Sequence, residues 1–248
     1  MQRYFLEVAY KGTNFSGFQV QENANTVQAE IEKAFLILHK TPIILTGSSR
    51  TDAGVHALQN FFHFDYEGNI HPQFLYKVNA ILPGDIVVKN LIPVSSDSHS
   101  RFDAIQRVYE YRLYNEKNPF LEGLALYYPY KVDFDLLNIT ASIIADETNF
   151  YAFCKTNTQV NNFICNIYKS EWLREDHMYI YKISGNRFLR GMVRLLTATQ
   201  LRVARGTMKL EEFRSLFSVD VNRKSGFSIG PTGLFLCQVV YPEGYFYK

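Results

Sequence analysis

No uninterrupted apolar run in the chain approaches the roughly 20 residues that a membrane-spanning helix requires. Its first residues, Met1-Gln2-Arg3-Tyr4, enter a strand-like pattern without the apolar core of a secretory leader. A soluble, cytoplasmic protein with no membrane partner is the expectation. Cysteine is scarce: Cys154, Cys165 and Cys237 are odd in number, widely spaced and free of any CxxC pair. That argues against a disulfide framework or a zinc site and predicts three reduced, mostly buried thiols. The six histidines form no HxH or HExxH pattern, so no metal is expected. Excess charge is nearly missing too, with 26 Lys+Arg against 24 Asp+Glu. A hydrophobic content of 47% with 20% charged residues excludes intrinsic disorder.

Aromatic residues are what the chain has in quantity, with 17 Tyr and 20 Phe against a single Trp. They serve either as core or, in part, as stacking platforms for bases. At roughly 100 to 200 residues per domain, the 248 residues allow one large domain or two smaller ones.

Apolar and polar residues alternate over 3 to 10, which predicts a strand. A loop rich in Gly, Asn and Ser follows. Thr26 then precedes a 3.6-residue period through Val27, Ile31, Ala34, Phe35 and Leu38, so a helix is expected to about His39, stopped by Pro42. Strands are expected at 43 to 46, 57 to 66 and 86 to 92, with a short helix at about 72 to 80. The second half repeats this order loosely: strands at 107 to 114 and 124 to 130, a helix at 135 to 145, strands at 163 to 173 and 178 to 184, helices at 187 to about 204 and 209 to 217, and a last strand at 233 to 241. The reading is α+β, with two ferredoxin-like halves of mainly antiparallel sheet, residues 1–105 and 106–248.

Three segments carry chemistry. The first is the polar, small-residue loop Thr46-Gly47-Ser48-Ser49-Arg50-Thr51-Asp52-Ala53-Gly54-Val55-His56-Ala57 between two strand patterns. Asp52 is of a type already ionised at neutral pH, so it can act as a nucleophile without a base partner. The competing reading makes Asp52 the start of an Asx-turn, with Gly54 supplying a positive φ.

The second segment, His177 to Leu210, holds Lys182, Arg187, Arg190, Arg194, Arg202, Arg205 and Lys209 and no acid. At about 100° per residue, Arg187, Arg190 and Arg194 share one face of a helix, and Phe188, Leu189, Met192, Val193, Leu195 and Leu196 occupy the other side. Such a face is either simply solvated or meets phosphates or a carboxylate. In the third, Gln106 to Tyr114, alternation puts Tyr109, Tyr111 and Leu113 on one face of a strand and Arg112 and Tyr114 on the other. A tyrosine there is either core or a surface on which an unpaired base stacks.

Together the segments resemble the tRNA pseudouridine synthase A family, in collinear order over most of the chain. The family's YxGTxFxGWQ is found as Tyr10-Lys11-Gly12-Thr13-Asn14-Phe15-Ser16-Gly17-Phe18-Gln19, followed by Thr26-Val27-Gln28. Its GRTDAGVHA corresponds to Ser49 through Ala57, its NxxLPxDI to Asn79 through Ile86, and its KxYxY to Arg107 through Tyr111. FLxxMVR is Phe188 to Arg194, and the closing GLxLxxVxYP is Gly233 to Pro242. Departures are Phe18 for Trp, Ser49 for Gly, and Thr148-Asn149-Phe150 for His-Asp-Phe. All lie outside the positions to which the family assigns catalysis.

The resemblance implies the pseudouridine synthase fold, with its active-site cleft between the two halves, and an isomerase that converts uridine to pseudouridine in the anticodon stem-loop of tRNA without a cofactor. Asp52 would be the nucleophile, adding at C1′ of the ribose or at C6 of the base. Tyr109 would stack on the flipped base, Arg194 would pair with Asp52, and Arg50 would take the place of the displaced nucleotide. Thr51 and His56 would bind substrate beside Arg50. Leu234 or Leu236 would form the apolar wall of the pocket, and Arg187, Arg190, Arg202 and Arg205 would meet RNA. The family acts as a homodimer. The alternatives are the same chemistry on another RNA or tRNA position, or a non-catalytic RNA-binding protein.

Overall fold

Residues 1–155, 162–218 and 223–247 are described by a computed structural model. They form two compact units, Met1–Ile105 with Phe235–Lys248, and Gln106–Leu234.

In the first unit, β1 (Gln2–Tyr10) runs antiparallel between β3 (His56–Tyr66) and β4 (Ile86–Val94), so that Leu6 lies opposite both Phe62 and Leu91. A two-residue strand, β2 (Thr46–Gly47), joins β3 at His63 and Phe62. Helices α1 (Val27–His39) and α2 (Phe74–Ile81) complete the set. The start of α1 is fixed by Thr26, whose hydroxyl accepts from the Ala29 N–H at 3.3 Å, and its end by Lys40 in the left-handed conformation ahead of Pro42. Phe5, Leu6, Phe35, Phe62, Phe64 and Val78 close the core. The strand expected at 43 to 46 shrinks to β2 because Leu45 gives its backbone to α1 instead of to a neighbouring strand. Its N–H donates to Glu32 Oε1 at 2.9 Å, and its carbonyl accepts from Gln28 Nε2 at 2.9 Å.

The second unit centres on β8 (Met178–Gly185), antiparallel to β5 (Gln106–Tyr114) on one side and β7 (Ile167–Glu175) on the other. Tyr181 faces Tyr111 and Trp172 in that register, and all three are buried. Helix α3 (Phe134–Asp146) is capped by the Asp133 carboxylate, which accepts from the N–H groups of Asp135 and Leu136. The aromatic strand expected at 124 to 130 is only β6 (Leu126–Tyr127), parallel to β5. Just before it, Leu124 and Ala125 both donate to the Leu121 carbonyl, which makes that stretch a turn.

The helix expected from 187 begins five residues late, as α4 (Met192–Ala204), and α5 (Leu210–Ser215) follows. Gly191 adopts φ +74°, a conformation that a right-handed helix cannot run through. The Arg190 carbonyl accepts from the Lys155 N–H at 3.0 Å. Arg187 and Arg190 therefore stand in the loop before the helix, and the single arginine face expected from 187 to 194 is corrected. Apolar periodicity continues through a glycine, whereas backbone geometry does not.

The last strand, β9 (Leu234–Val240), pairs parallel with β3 through Phe235 opposite His56 and Leu236 opposite Ala57. Behind it Tyr241 packs edge-on against Phe5 and Phe61. The expected assignment of everything from 106 to 248 to one half is thus corrected. The segment Phe235–Lys248 belongs with the first unit because the partners of its aromatic side chains are there. Apart from β3 with β9 and β5 with β6, the strand pairs within the units are antiparallel, giving mixed sheets of mostly antiparallel strands with a few helices.

Candidate active site

The loop between β2 and β3 is built from the inside outward. Asn60 of β3, fully buried, accepts at Oδ1 from Ser48 Oγ at 2.8 Å and donates from Nδ2 to the Ser49 carbonyl at 3.0 Å and the Tyr10 hydroxyl at 3.2 Å. Tyr10, at the end of β1, lies 2.9 Å from Thr51 Oγ1. The exposure pattern follows from that anchoring: Arg50 is exposed, Thr51 is buried and Asp52 is half-buried. Past Asp52 the chain turns back, with the Val55 N–H donating to the Asp52 carbonyl at 3.2 Å and Gly54 at φ +77°. Gly54 has the expected positive φ, but the turn closes through the Asp52 backbone carbonyl instead of the side chain of an Asx-turn, the Gly54 N–H going to the Phe15 carbonyl, and Asp52 stays half-buried.

The Tyr10 to Gln19 segment cradles this loop. Phe18 N–H donates to the Thr51 carbonyl at 3.2 Å, Gly54 N–H to the Phe15 carbonyl at 3.3 Å, and Gly12 N–H to His56 Nδ1 at 3.1 Å. Acceptance at Nδ1 assigns the neutral-imidazole proton of His56 to Nε2. Phe18 stacks on Phe62 with centroids 4.5 Å apart. Contact at Gly12 is so close that a Cβ there would sit 2.0 Å from the Val55 carbonyl oxygen, which only glycine allows. His56 is itself buried and stacks on Phe235 at 4.5 Å, next to Leu236, which is fully buried. Here the sequence-predicted residues Arg50, Thr51, Asp52, His56 and Leu236 converge within one unit.

At the foot of the loop, His63 Nδ1 accepts from the Ser100 N–H at 3.2 Å, and Ser100 Oγ donates to the Thr46 carbonyl at 2.9 Å. Burial holds His63 down to about 4, with His99 and Arg3 adding to the depression.

In the second unit, Tyr109 on β5 is half-buried, with its ring edge-to-face with Phe188 at 5.0 Å. Its strand neighbour Tyr111 is the core tyrosine, its hydroxyl donating to the Gly230 carbonyl at 2.6 Å, and burial pushes that phenol well above its ordinary range. Glu110 pairs with Arg112 at 2.8 Å and with Lys182 at 3.4 Å, and the two cations hold its carboxyl below the usual carboxylate range against the opposing effect of burial. Arg194, in the first turn of α4, donates from Nε to the Ile229 carbonyl at 2.7 Å. Leu234 is buried.

Four further arginines end in different settings. Arg190 is exposed and Arg187 half-buried. Arg202 lies over the Phe227 ring at 3.6 Å, and Arg205 over the Tyr130 ring at 3.8 Å. Arg202 sits in the last turn of α4, about 12 Å along the axis from Arg194 at 1.5 Å per residue, and Arg205 caps the helix beyond it. The structure does not place the five on one helix face.

A sequence profile described as tRNA pseudouridine synthase matches residues 7–103 and 147–242, which include both the Asp52 loop and α4. The chain belongs to the tRNA pseudouridine synthase family. Among its relatives, a protein of Parabacteroides distasonis named tRNA pseudouridine synthase A is 39% identical over 99% of this chain and 98% of its own. Proteins of the same name from Porphyromonas gingivalis and Staphylococcus aureus are each 36% identical, over 99% and 97% of this chain and 100% and 91% of theirs. Tyr109 falls in the stretch that the profile skips, and it is the long pairwise matches that cover most of it. Membership makes this chain an isomerase of the pseudouridine synthase type. Among the described residues no three His, Cys, Asp or Glu side chains group as metal ligands, and no helix is long and apolar enough to cross a membrane.

Three residues at these sites carry no signal of that role in the sequence pattern. Tyr10 opens a family motif but was read only as the end of a strand, and nothing in composition or period singles out Asn60. Phe188, read as the core side of a helix, is the ring that braces Tyr109.

Proposed function

We propose that the protein isomerises uridine to pseudouridine in the anticodon stem-loop of tRNA, as a cytoplasmic homodimer whose units are ferredoxin-like halves. The observation that supports it most is the joining of two family motifs in one place: the Tyr10 to Gln19 segment closes on the Arg50-Thr51-Asp52 loop through four hydrogen bonds and leaves Asp52 partly accessible. In this reading the Asp52 carboxylate is the nucleophile, and both routes open to it, at C1′ or at C6, begin from the same anion. The N1–C1′ bond breaks, the uracil turns, C5 bonds to C1′, the C5 proton is lost and N1 gains one. Substrate and product have the same atoms, so the reaction calls for no oxidant, energy source or cofactor.

The other roles follow the side-chain chemistry. Arg50, exposed beside Asp52, fills the gap left by the extruded nucleotide, a step that offsets an unstacking cost of a few kcal/mol. Thr51 and His56 hold the loop to which substrate binds. Tyr109, braced by Phe188, stacks on the target base, and Arg194 is the countercharge for the carboxylate. Leu234 and Leu236 supply apolar wall, while Arg187, Arg190, Arg202 and Arg205 meet phosphates.

The deciding experiment is Asp52→Asn, which keeps the shape and removes the nucleophile. Single-turnover isomerisation, mapped by carbodiimide derivatisation of tRNA, should fall below about a hundredth of wild type with tRNA affinity within a few fold. Turnover above that level would rule Asp52 out as nucleophile. Absence of pseudouridine from any tRNA treated with the wild-type protein would leave RNA binding alone.

A further inference from the structure

We infer that Tyr10 and Asn60 are positioning residues for isomerisation, setting the angle at which the loop presents Arg50 and Asp52. The inference rests on the proposed nucleophilic role of Asp52 and extends it to groups that never touch substrate.

Asn60 has every polar position engaged. Its Oδ1 accepts from Ser48 Oγ at 2.8 Å and from the Phe61 N–H at 2.9 Å, and its Nδ2 donates to the Ser49 carbonyl at 3.0 Å and to the Tyr10 hydroxyl at 3.2 Å. This set fixes which end of the amide is oxygen. The Tyr10 hydroxyl, which accepts from Asn60, is also hydrogen-bonded to Thr51 Oγ1 at 2.9 Å. A chain of side chains therefore leads from the core strand β3 through β1 to the residue between Arg50 and Asp52. Thr51, turned inward at 8% exposure, forces its two neighbours outward, as their exposure shows.

Stability alone gives little reason for such a chain. A neutral buried hydrogen bond contributes little net, and replacing both partners by apolar groups of the same shape is often close to neutral. What a fully satisfied network supplies that an apolar contact does not is direction, because hydrogen bonds weaken steeply off their preferred angle. A nucleophile needs that direction: displacement by about 1 Å is enough to lower a rate on the order of 100-fold.

The test is Tyr10→Phe, which deletes one oxygen and keeps the ring. At saturating tRNA the single-turnover rate should fall on the order of 10- to 100-fold, with Kd for tRNA within about threefold. Thr51→Val should do the same, and the double variant should be no slower than the worse single one, because both break one link. Tyr241→Phe is the control: it removes a buried tyrosine hydroxyl of the same unit, bonded to the Ser100 carbonyl at 2.5 Å, and should lower Tm while leaving the rate intact. A Tyr10→Phe rate within about twofold of wild type, or losses that multiply in the double variant, would overturn the positioning role. Should Tyr10→Phe not fold, the rate of Thr51→Val at saturation decides in the same way. Turnover by Asp52→Asn is a different result, which removes the premise about Asp52 and is recognisable without the Tyr10 variants.

Discussion

The Asp52 loop and the arginine segment after β8 hold the charged residues that the family motifs and the basic run single out, and they are organised in opposite ways. In the loop three residues around Asp52 are tied to partners of definite geometry: Thr51 to Tyr10, Ser49 to Asn60, Gly54 to Phe15. In the segment the arginines are held one at a time by whatever lies nearby, a carbonyl for Arg194 and aromatic rings for Arg202 and Arg205. A motif of particular residue types thus transmits a shape, whereas a run of like charge transmits only a field. The first is broken by a single atom. The second should change by degrees.

Gly12→Ala gives the sharpest version of the first half of that contrast. The added Cβ would meet the Val55 carbonyl oxygen at 2.0 Å, and neither side of the contact is a movable side-chain end. Urea unfolding should show a loss of about 3 kcal/mol, the upper end for overpacking, together with a loss of turnover larger than the fraction unfolded explains. Wild-type stability in Gly12→Ala would mean that the cradle can open and that the loop is less tied than its contacts imply.

Next in size is acid sensitivity at the foot of the loop. His63 takes up its proton near pH 4 when folded and near 6.5 when unfolded, so the unfolded chain binds more protons between those values. Stability from this group is fully present above about pH 6.5 and falls as pH drops through the window, by about 2 to 3 kcal/mol at pH 4. His39 and His99, also lowered chiefly by burial, add in the same direction. Urea midpoints from pH 7 to 4.5 should fall for the wild type and clearly less for His63→Asn. Equal slopes in the two would assign the acid sensitivity to other groups.

The smallest effects are expected in the arginine segment. Arg190→Ala should weaken tRNA binding for all sequences alike, lower the slope of log K against log salt by about 0.7 to 0.9, and leave the rate at saturation intact. Arg202→Ala and Arg205→Ala should flatten the salt slope similarly and also lose a cation–π contact of about 0.5 to 1 kcal/mol, visible as a small drop in Tm. Arg194→Lys keeps the charge but loses the planar fork, and should slow single turnover with little change in the salt slope. If all four variants behave alike, the segment acts as one basic surface and Arg194 has no separate role.

Much of this was legible in the order of residues, and for physical reasons. The strand β1, the Thr26 cap of α1 and the turn after Asp52 depend on interactions within a few positions, so alternation, a hydroxyl before an apolar period, and an Asp with Gly two residues on were sufficient. The motif order also indicated the family and Asp52 as the residue to test. What the sequence did not determine were the features whose partners are remote along the chain. Leu45 gave up a strand for the side chains of α1, Gly191 interrupted a period that hydrophobicity alone continued, and the closing strand joined the unit to which its aromatic neighbours belong. Asn60 meets Tyr10 only because antiparallel pairing brings β1 and β3 side by side, across a separation that no local pattern spans. Hydrogen bonds and packing are satisfied in space, and a linear pattern records only those partners that are also near in sequence.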